Sequence, residues 1–282
     1  MTHALPLKDF RARRVVLDPD DFALSDGKSD PPPRSLVDKD VWDHLTTLPT
    51  DVSVRTSNTC GWALKAQNDV MSGWGEPIIA ILDEPHDPTL FAMRDVSDEL
   101  YATTFELLHG FYRQAASSLR SCVELMLDGC SKAVSKTSAS ASPRFSFKAS
   151  AGTIRSNARV QEVDSKLETN CGVRLFGDLT QPVGAGWFGD LYGRLSELVH
   201  ARPGRTLGDT WKSNGPIYVG EAVRDLHEVF FETVCAACVL ACLGRPSLRF
   251  TKELDRALIA TKVSPTKIEL EALSEICEIE LV

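Results

Sequence analysis

The chain has 282 residues, a net charge of −8 and a pI near 5.3. A surface of that sign excludes broad electrostatic binding to nucleic acid, which needs clustered Lys and Arg. With 43% hydrophobic and 25% charged residues, the composition is that of a globular protein with a sizeable core.

Lys8, Asp9, Arg11, Arg13 and Arg14 interrupt the N-terminal stretch, so no secretion signal is expected. The most apolar segment, Val229–Leu243, is 15 residues long and contains Glu232. It is too short and too polar to span a bilayer, and no membrane association is expected. Eight cysteines without a secretion signal point to reduced thiols and a cytoplasmic protein.

Residues 1–94 read as an N-terminal extension with short helices. Arg13–Asp18 reads as a short strand, and Ser25–Arg34, with three consecutive prolines, as a loop. Val41–Leu48 predicts a helix stopped before Pro49, and Cys60–Ser72 a second, closed by the Gly73-Trp74-Gly75 run. Pro77–Leu82 is compatible with a strand or a buried helical turn, and Glu84–Pro88 with a loop. Asp95–Ala133 is helical, capped by Asp95 or Ser97, with Gly110 placed to kink or divide it. Ser131–Gly152, rich in Ser and Ala with a positive charge, reads as a mobile loop. Helices follow over Arg159–Glu168, Trp187–His200 and Val219–Leu243. Residues 245–282 form a tail with helices at Lys252–Thr261 and Thr266–Glu280. The expected architecture is mainly α, a helical bundle over residues 95–244 with a weakly structured N-terminal region.

Two helices carry the chemistry. In the first, Leu108, Phe111, Ala115, Leu119, Cys122 and Met126 recur at helical spacing and form an apolar face. Opposite them run His109, Arg113, Ser117, Arg120 and Glu124, a polar line without Lys. That line is either a seam docking another helix or one wall of a site. In the second helix Arg194, Glu197 and His200 lie three apart, and Tyr192, Ser196 and His200 share a stripe at i, i+4 and i+8. His200 occupies the last turn, where the helix dipole suits an imidazolium, and Arg202 and Arg205 follow. A His among several Arg suits a phosphodiester: the His moves a proton and Arg meets the charge on phosphorus oxygens. The same residues also serve as a helix cap and ion pairs, so both readings stay open.

Arg194 and His200 enclose five residues, as in the R-x4–6-H motif of the HEPN superfamily. The pair of segments His109–Leu125 and Leu191–Pro203 resembles the paired helices of HEPN-like bacterial proteins, over about residues 95–244. Many members are metal-independent ribonucleases of toxin–antitoxin, abortive-infection and CRISPR systems. The resemblance implies a homodimer with Arg194 and His200 lining one cleft, no cofactor, an RNA substrate and an antiphage or toxin role, with a partner protein as regulator. Arg194 and His200 are then the catalytic pair. Arg120, Arg113, Tyr192, Arg202 and Arg205 contact the substrate, and Glu124, Glu197 and Ser196 support them. Leu195 stands where nuclease members carry a polar residue, which keeps open an inert dimerisation or ligand-binding module.

No metal site is expected. Cys235, Cys238 and Cys242 share a helix face with no second pair to complete a tetrahedral zinc site. Glu84, His86 and Asp87 have no convergent ligands elsewhere. P-loop, dinucleotide, zincin and nucleophile-elbow motifs are absent from the sequence.

Overall fold

The computed structural model describes residues 39–79, 87–136, 145–177, 186–200, 215–250, 252, 254, 257–258 and 265–278. The expected strand at Arg13–Asp18, the proline loop, Glu84, His86, Arg202 and Arg205 lie outside them. Eight helices are bounded as α1 Lys39–Ile79, α2 Pro88–Leu108, α3 Tyr112–Ser135, α4 Phe147–Arg155, α5 Ala158–Cys171, α6 Gly186–Val199, α7 Gly220–Gly244 and α8 Lys267–Cys277. Among the described residues there is no strand. The chain divides into the units Met1–Leu45 and Thr46–Val282. Of the first only the opening turns of α1 are described, and everything below concerns the second.

The bundle is built round α3, which packs against α2, α4, α6 and α7. Its apolar face is the expected one from Ala115 onward: Ala115, Leu119, Cys122 and Met126 are all fully buried. Leu108 and Phe111 do not belong to it, because the helix breaks between them. Gly110 takes φ +79°, and a Cβ there would stand 2.2 Å from the Ile217 carbonyl oxygen. Only glycine tolerates both the left-handed backbone and that approach. Of the two outcomes expected at Gly110, a kink or a division, the structure shows the division, into α2 and α3. The expected cap at Asp95 or Ser97 is also corrected. Asp87 caps α2, accepting from the Thr89 and Leu90 amides at 2.8 and 3.4 Å, with Pro88 in the first turn. Asp87 also pairs with Arg245 at 2.7 Å, so this loop carboxylate ties α2 to the end of α7.

The two expected helices before residue 80 are the two arms of α1, joined at a kink at Cys60 where the second was expected to start, and both run further than expected, through Pro49 and through Pro77. Gly73 is not a stop signal. A Cβ on it would lie 2.9 Å from that of Leu254, so it serves close packing. Trp74 is 1% exposed and donates to the Met93 carbonyl at 3.1 Å, and that burial holds the last turns helical beyond it. The loop expected over Ser131–Gly152 is shorter: α3 runs to Ser135, and Ser146 caps α4.

α7 is the core helix, with Phe230, Phe231 and the run from Glu232 to Leu243 buried. Burial of each large side chain contributes about 2–3 kcal/mol. At 25 residues α7 matches the expected Val219–Leu243 within one residue at each end, and by length and composition it could cross a membrane. It does something else here: 89% of its most apolar window is buried inside the protein. Cys235, Cys238 and Cys242 are buried there, and Cys242 hydrogen-bonds Cys277 of α8. α8 opens with a reciprocal capping box in which Thr266 and Glu269 satisfy each other's backbone amides.

Candidate functional site

The second informative helix, α6, is fixed at both ends. Gly186 starts it with φ +79°, and the Trp187 and Phe188 amides donate to the Arg174 and Leu175 carbonyls at 2.9 and 3.2 Å. These bonds use N–H groups that a helix start leaves unpaired. Residues 174–177 are held in turn from α4 and α5. Arg155 donates to the Gly177 carbonyl at 2.8 Å, and the Leu175 amide donates to Asp164 at 2.6 Å. At the other end, Arg113 of α3 donates to the Val199 carbonyl at 2.7 Å, a cation on the negative end of the helix dipole. The last helical bond runs from the His200 amide to the Ser196 carbonyl at 2.9 Å.

His200 is thereby placed at the rim of the α3–α6 seam, its side chain exposed. Arg120 lies across from it, Nη1 at 3.1 Å from His200 Nε2. A guanidinium only donates, so Nε2 accepts, and the imidazole in this contact carries its proton on Nδ1. Arg120 Nη2 donates to the Tyr192 hydroxyl at 2.8 Å and pairs with Glu124 Oε1 at 2.9 Å. The Tyr192 hydroxyl donates to the same Glu124 oxygen at 2.8 Å. The three groups close a triangle, and His200 hangs from its outer corner.

The Tyr192 ring adds a second restraint. The Arg120 guanidinium lies 5.0 Å from its centroid, a cation–π contact. Phe147 of α4 stacks on Tyr192 at 4.8 Å, and Phe145 lies tilted at 6.3 Å. Burial pushes the Tyr192 hydroxyl above its ordinary pKa, and the neighbouring Glu124 adds to the rise while Arg120 opposes it. For Arg120, burial works downward, but Tyr192 and Glu124 outweigh it and the pKa is raised. Arg120 is thus held as a cation.

Other expected site residues lie elsewhere. Arg194 sits on another face of α6, about 120° from His200 by helical geometry, and pairs with Glu232 of α7. Glu232 is 8% exposed and also accepts from Trp187 Nε1 at 3.0 Å. Glu197 is exposed, and Ser196 contributes the carbonyl bonded to the His200 amide. His109 turns back on its own helix, Nδ1 2.8 Å from the Phe105 carbonyl and its ring 4.3 Å from that of Phe105. The polar line on α3 therefore divides, with Arg113, Arg120 and Glu124 docking on α6 and His109 remaining at the helix break.

Sequence reasoning did not find Glu232, Trp187, Phe145 or Phe147 as neighbours of these groups. Glu232 did give a signal, as the lone acid of the most apolar segment, since a buried charge requires a partner. The two Phe sit in what reads as a low-complexity loop and gave none.

No family model, no curated protein and no solved structure matches the chain. What the fold and the cluster define is an α-helical bundle presenting, at one helix end, an exposed histidine in hydrogen-bond contact with a fixed arginine.

Proposed function

We propose that the chain is a HEPN-like, metal-independent RNA endonuclease working as a homodimer, an antiphage or toxin effector under the control of a regulator protein. The observation that supports this reading is the exposed His200 imidazole with its Nε2 lone pair held 3.1 Å from Arg120 Nη1. That is the protonation state a general base needs, beside the cation a phosphate needs. In the free protein Arg120 occupies the lone pair. A bound phosphodiester offers the guanidinium better acceptors, and Nε2 is released.

His200 then takes the proton of the ribose 2′-hydroxyl, and the 2′-oxygen attacks phosphorus. The P–O5′ bond breaks and the departing oxygen takes up a proton, giving a 2′,3′-cyclic phosphate and a 5′-hydroxyl end. Nothing is oxidised or reduced, and Arg120 meets the charge on the non-bridging oxygens. Tyr192 and Glu124 hold Arg120, and Arg113 holds the helix end that carries His200. Arg202 and Arg205, two and five residues past His200, add phosphate contacts in this reading. Arg194, the motif arginine of the resemblance, acts from the Glu232 side as a second cation.

The test is RNA cleavage by purified protein in EDTA. Cleavage persists in chelator, and His200→Ala and Arg120→Ala each lower it by about a hundredfold or more without a matching fall in melting temperature. No cleavage under any condition, with or without a regulator, overturns the reading. A second reading, an inert helical dimerisation or ligand-binding module, draws on the Arg194–Glu232 pair and on Leu195, which is fully buried. It expects the same two variants to lower stability and change no activity.

A further inference from the structure

The charge of this acidic chain is unevenly spread. Tyr112–Val160 carries eight Lys and Arg against two acids, Glu124 and Asp128, within a chain of net charge −8. Both acids are already paired on their own helix, Glu124 with Arg120 at 2.9 Å and Asp128 with Lys132 at 2.5 Å. Among the described residues, Lys136, Lys148, Arg155 and Arg159 have no ion pair. Lys136, Lys148 and Arg159 are exposed.

Their placement follows α4. Lys148 and Arg155 are seven residues apart, which puts them on one flank of that helix about 10 Å from each other. Ser150, Ala151 and Ile154, about 100° round the helix on average, are buried. Phe147, next to Lys148, stacks on Tyr192, and Arg120 joins Tyr192 to His200, so the near end of α4 lies one residue from the Arg120–His200 pair. At the far end Arg159 enters the first turn of α5. Neither α4 nor α5 has an acid in its first turn, and each has a basic residue there, Lys148 and Arg159. A helix start favours anions, so these cations cost helix stability locally. They also add to the attraction that exposed helix starts exert on phosphate.

We infer that the α4 flank, from Phe145 and Phe147 through Lys148 and Arg155 to Arg159, is a guide for single-stranded RNA leading to His200. The basic side chains take phosphates, and the two half-buried Phe give bases an aromatic edge beside the reacting centre. A single strand fits better than a duplex, because only its bases are free to reach the Phe rings. The guide deepens the nuclease reading and rests on it for the direction of the strand, but the binding itself does not require cleavage.

The experiment measures binding by fluorescence anisotropy with a labelled single-stranded 2′-O-methyl oligonucleotide, which has no 2′-hydroxyl to react. The same sequence as a duplex and an acidic peptide serve as competitors. The unaltered chain binds the single strand more tightly than the duplex, with a strong salt dependence. Lys148→Glu with Arg159→Glu weakens binding about tenfold or more and reduces the slope of log affinity against log salt by about 1.4. The neutral pair Lys148→Gln with Arg159→Gln, which preserves helix propensity, gives a smaller loss in the same direction. Unchanged binding in both double variants overturns the guide. So does tighter binding of the acidic peptide, which makes the flank a protein-docking surface. If the strand binds as described and ribose RNA is never cut, the nuclease reading falls and the guide stands. If RNA is cut and the double variants bind normally, the reverse holds.

Discussion

Two polar clusters flank α6, and they spend their carboxylates differently. Towards α7, Glu232 is buried and gathers Arg194 and the Trp187 indole on one oxygen. Towards α3, Glu124 is part-exposed and gathers Arg120 and the Tyr192 hydroxyl, and Arg120 still has a donor left for His200. The first cluster is closed, its acid satisfied by a cation whose own end reaches water. The second is open, its acid fixing a cation that points on to an exposed imidazole. A closed cluster serves stability, whereas an open one holds chemistry in place at little cost to the fold.

The sharpest way to break that contrast is to remove the buried acid. Glu232→Ala deletes the acceptor of a buried indole N–H and leaves a void in the core helix. The expected loss is about 3 kcal/mol, read as a shift in urea midpoint at unchanged slope. His200→Ala, at the exposed rim, is expected to move the midpoint by less than about 1 kcal/mol. Equal losses in the two variants would erase the distinction between the clusters.

Another buried acid sharpens it. Asp164 is 5% exposed and accepts from the Leu175 amide at 2.6 Å, with no direct arginine bond. Burial pushes its pKa up to about 6, against the pull of the Leu175 and Phe176 amides and of Arg174 and Arg155. The folded state then keeps a proton that the unfolded chain loses near pH 4. Between about pH 4 and 6 the native state binds more protons, so stability falls as pH rises, by up to about 3 kcal/mol. Asp164→Asn is expected to flatten that slope. A rise in stability over the same window in the unaltered chain, abolished by Asp164→Asn, would reverse the sign of the argument.

How far the sequence carried these points differs by element. Helical periodicity identified the buried face of α3 from Ala115 on and the Tyr192/Ser196/His200 stripe of α6, because both are local repeats. It marked Gly110 as a kink or a division without deciding which, and it took Gly73 for a stop where that residue only makes room inside a helix. That depends on Ile217 and Leu254, distant in the chain. Pro49 misled as well: it reads as a stop, and the helix runs through it to the kink at Cys60. In the site, the one-turn spacing on α3 suggested the Arg120–Glu124 pair, whereas Tyr192, 72 residues beyond Arg120, joins it only through the packing of α6 on α3. The partner of Arg194 was out of reach, since Glu232 lies 38 residues on and only packing brings it in.

Arg194→Ala separates the motif arginine from the seam arginine. It leaves Glu232 with a single donor, from Trp187, at an expected cost of about 1–2 kcal/mol. In the arrangement with Arg120 on the scissile phosphate, RNA cleavage in this variant stays within about threefold of the unaltered chain. A loss as deep as that of His200→Ala would instead move the phosphate contact to Arg194, and Glu232 would have to release it on binding.

The smallest expected change in stability is that of Glu124→Gln, and it is the most informative about the open cluster. The amide still accepts from Tyr192 and Arg120, so the fold loses only part-exposed charge pairing, about 0.5 kcal/mol. What changes is the balance at the rim. Without the carboxylate the site is one unit more positive, so under the nuclease proposal RNA is expected to bind more tightly, with a steeper salt dependence. Arg120 is also less firmly held on its line to His200, so turnover slows. KM and kcat should therefore fall together by a few fold while the melting temperature hardly moves. A lower melting temperature with both constants unchanged would make Glu124 a helix-pairing residue and nothing more, and the seam would be a second closed cluster.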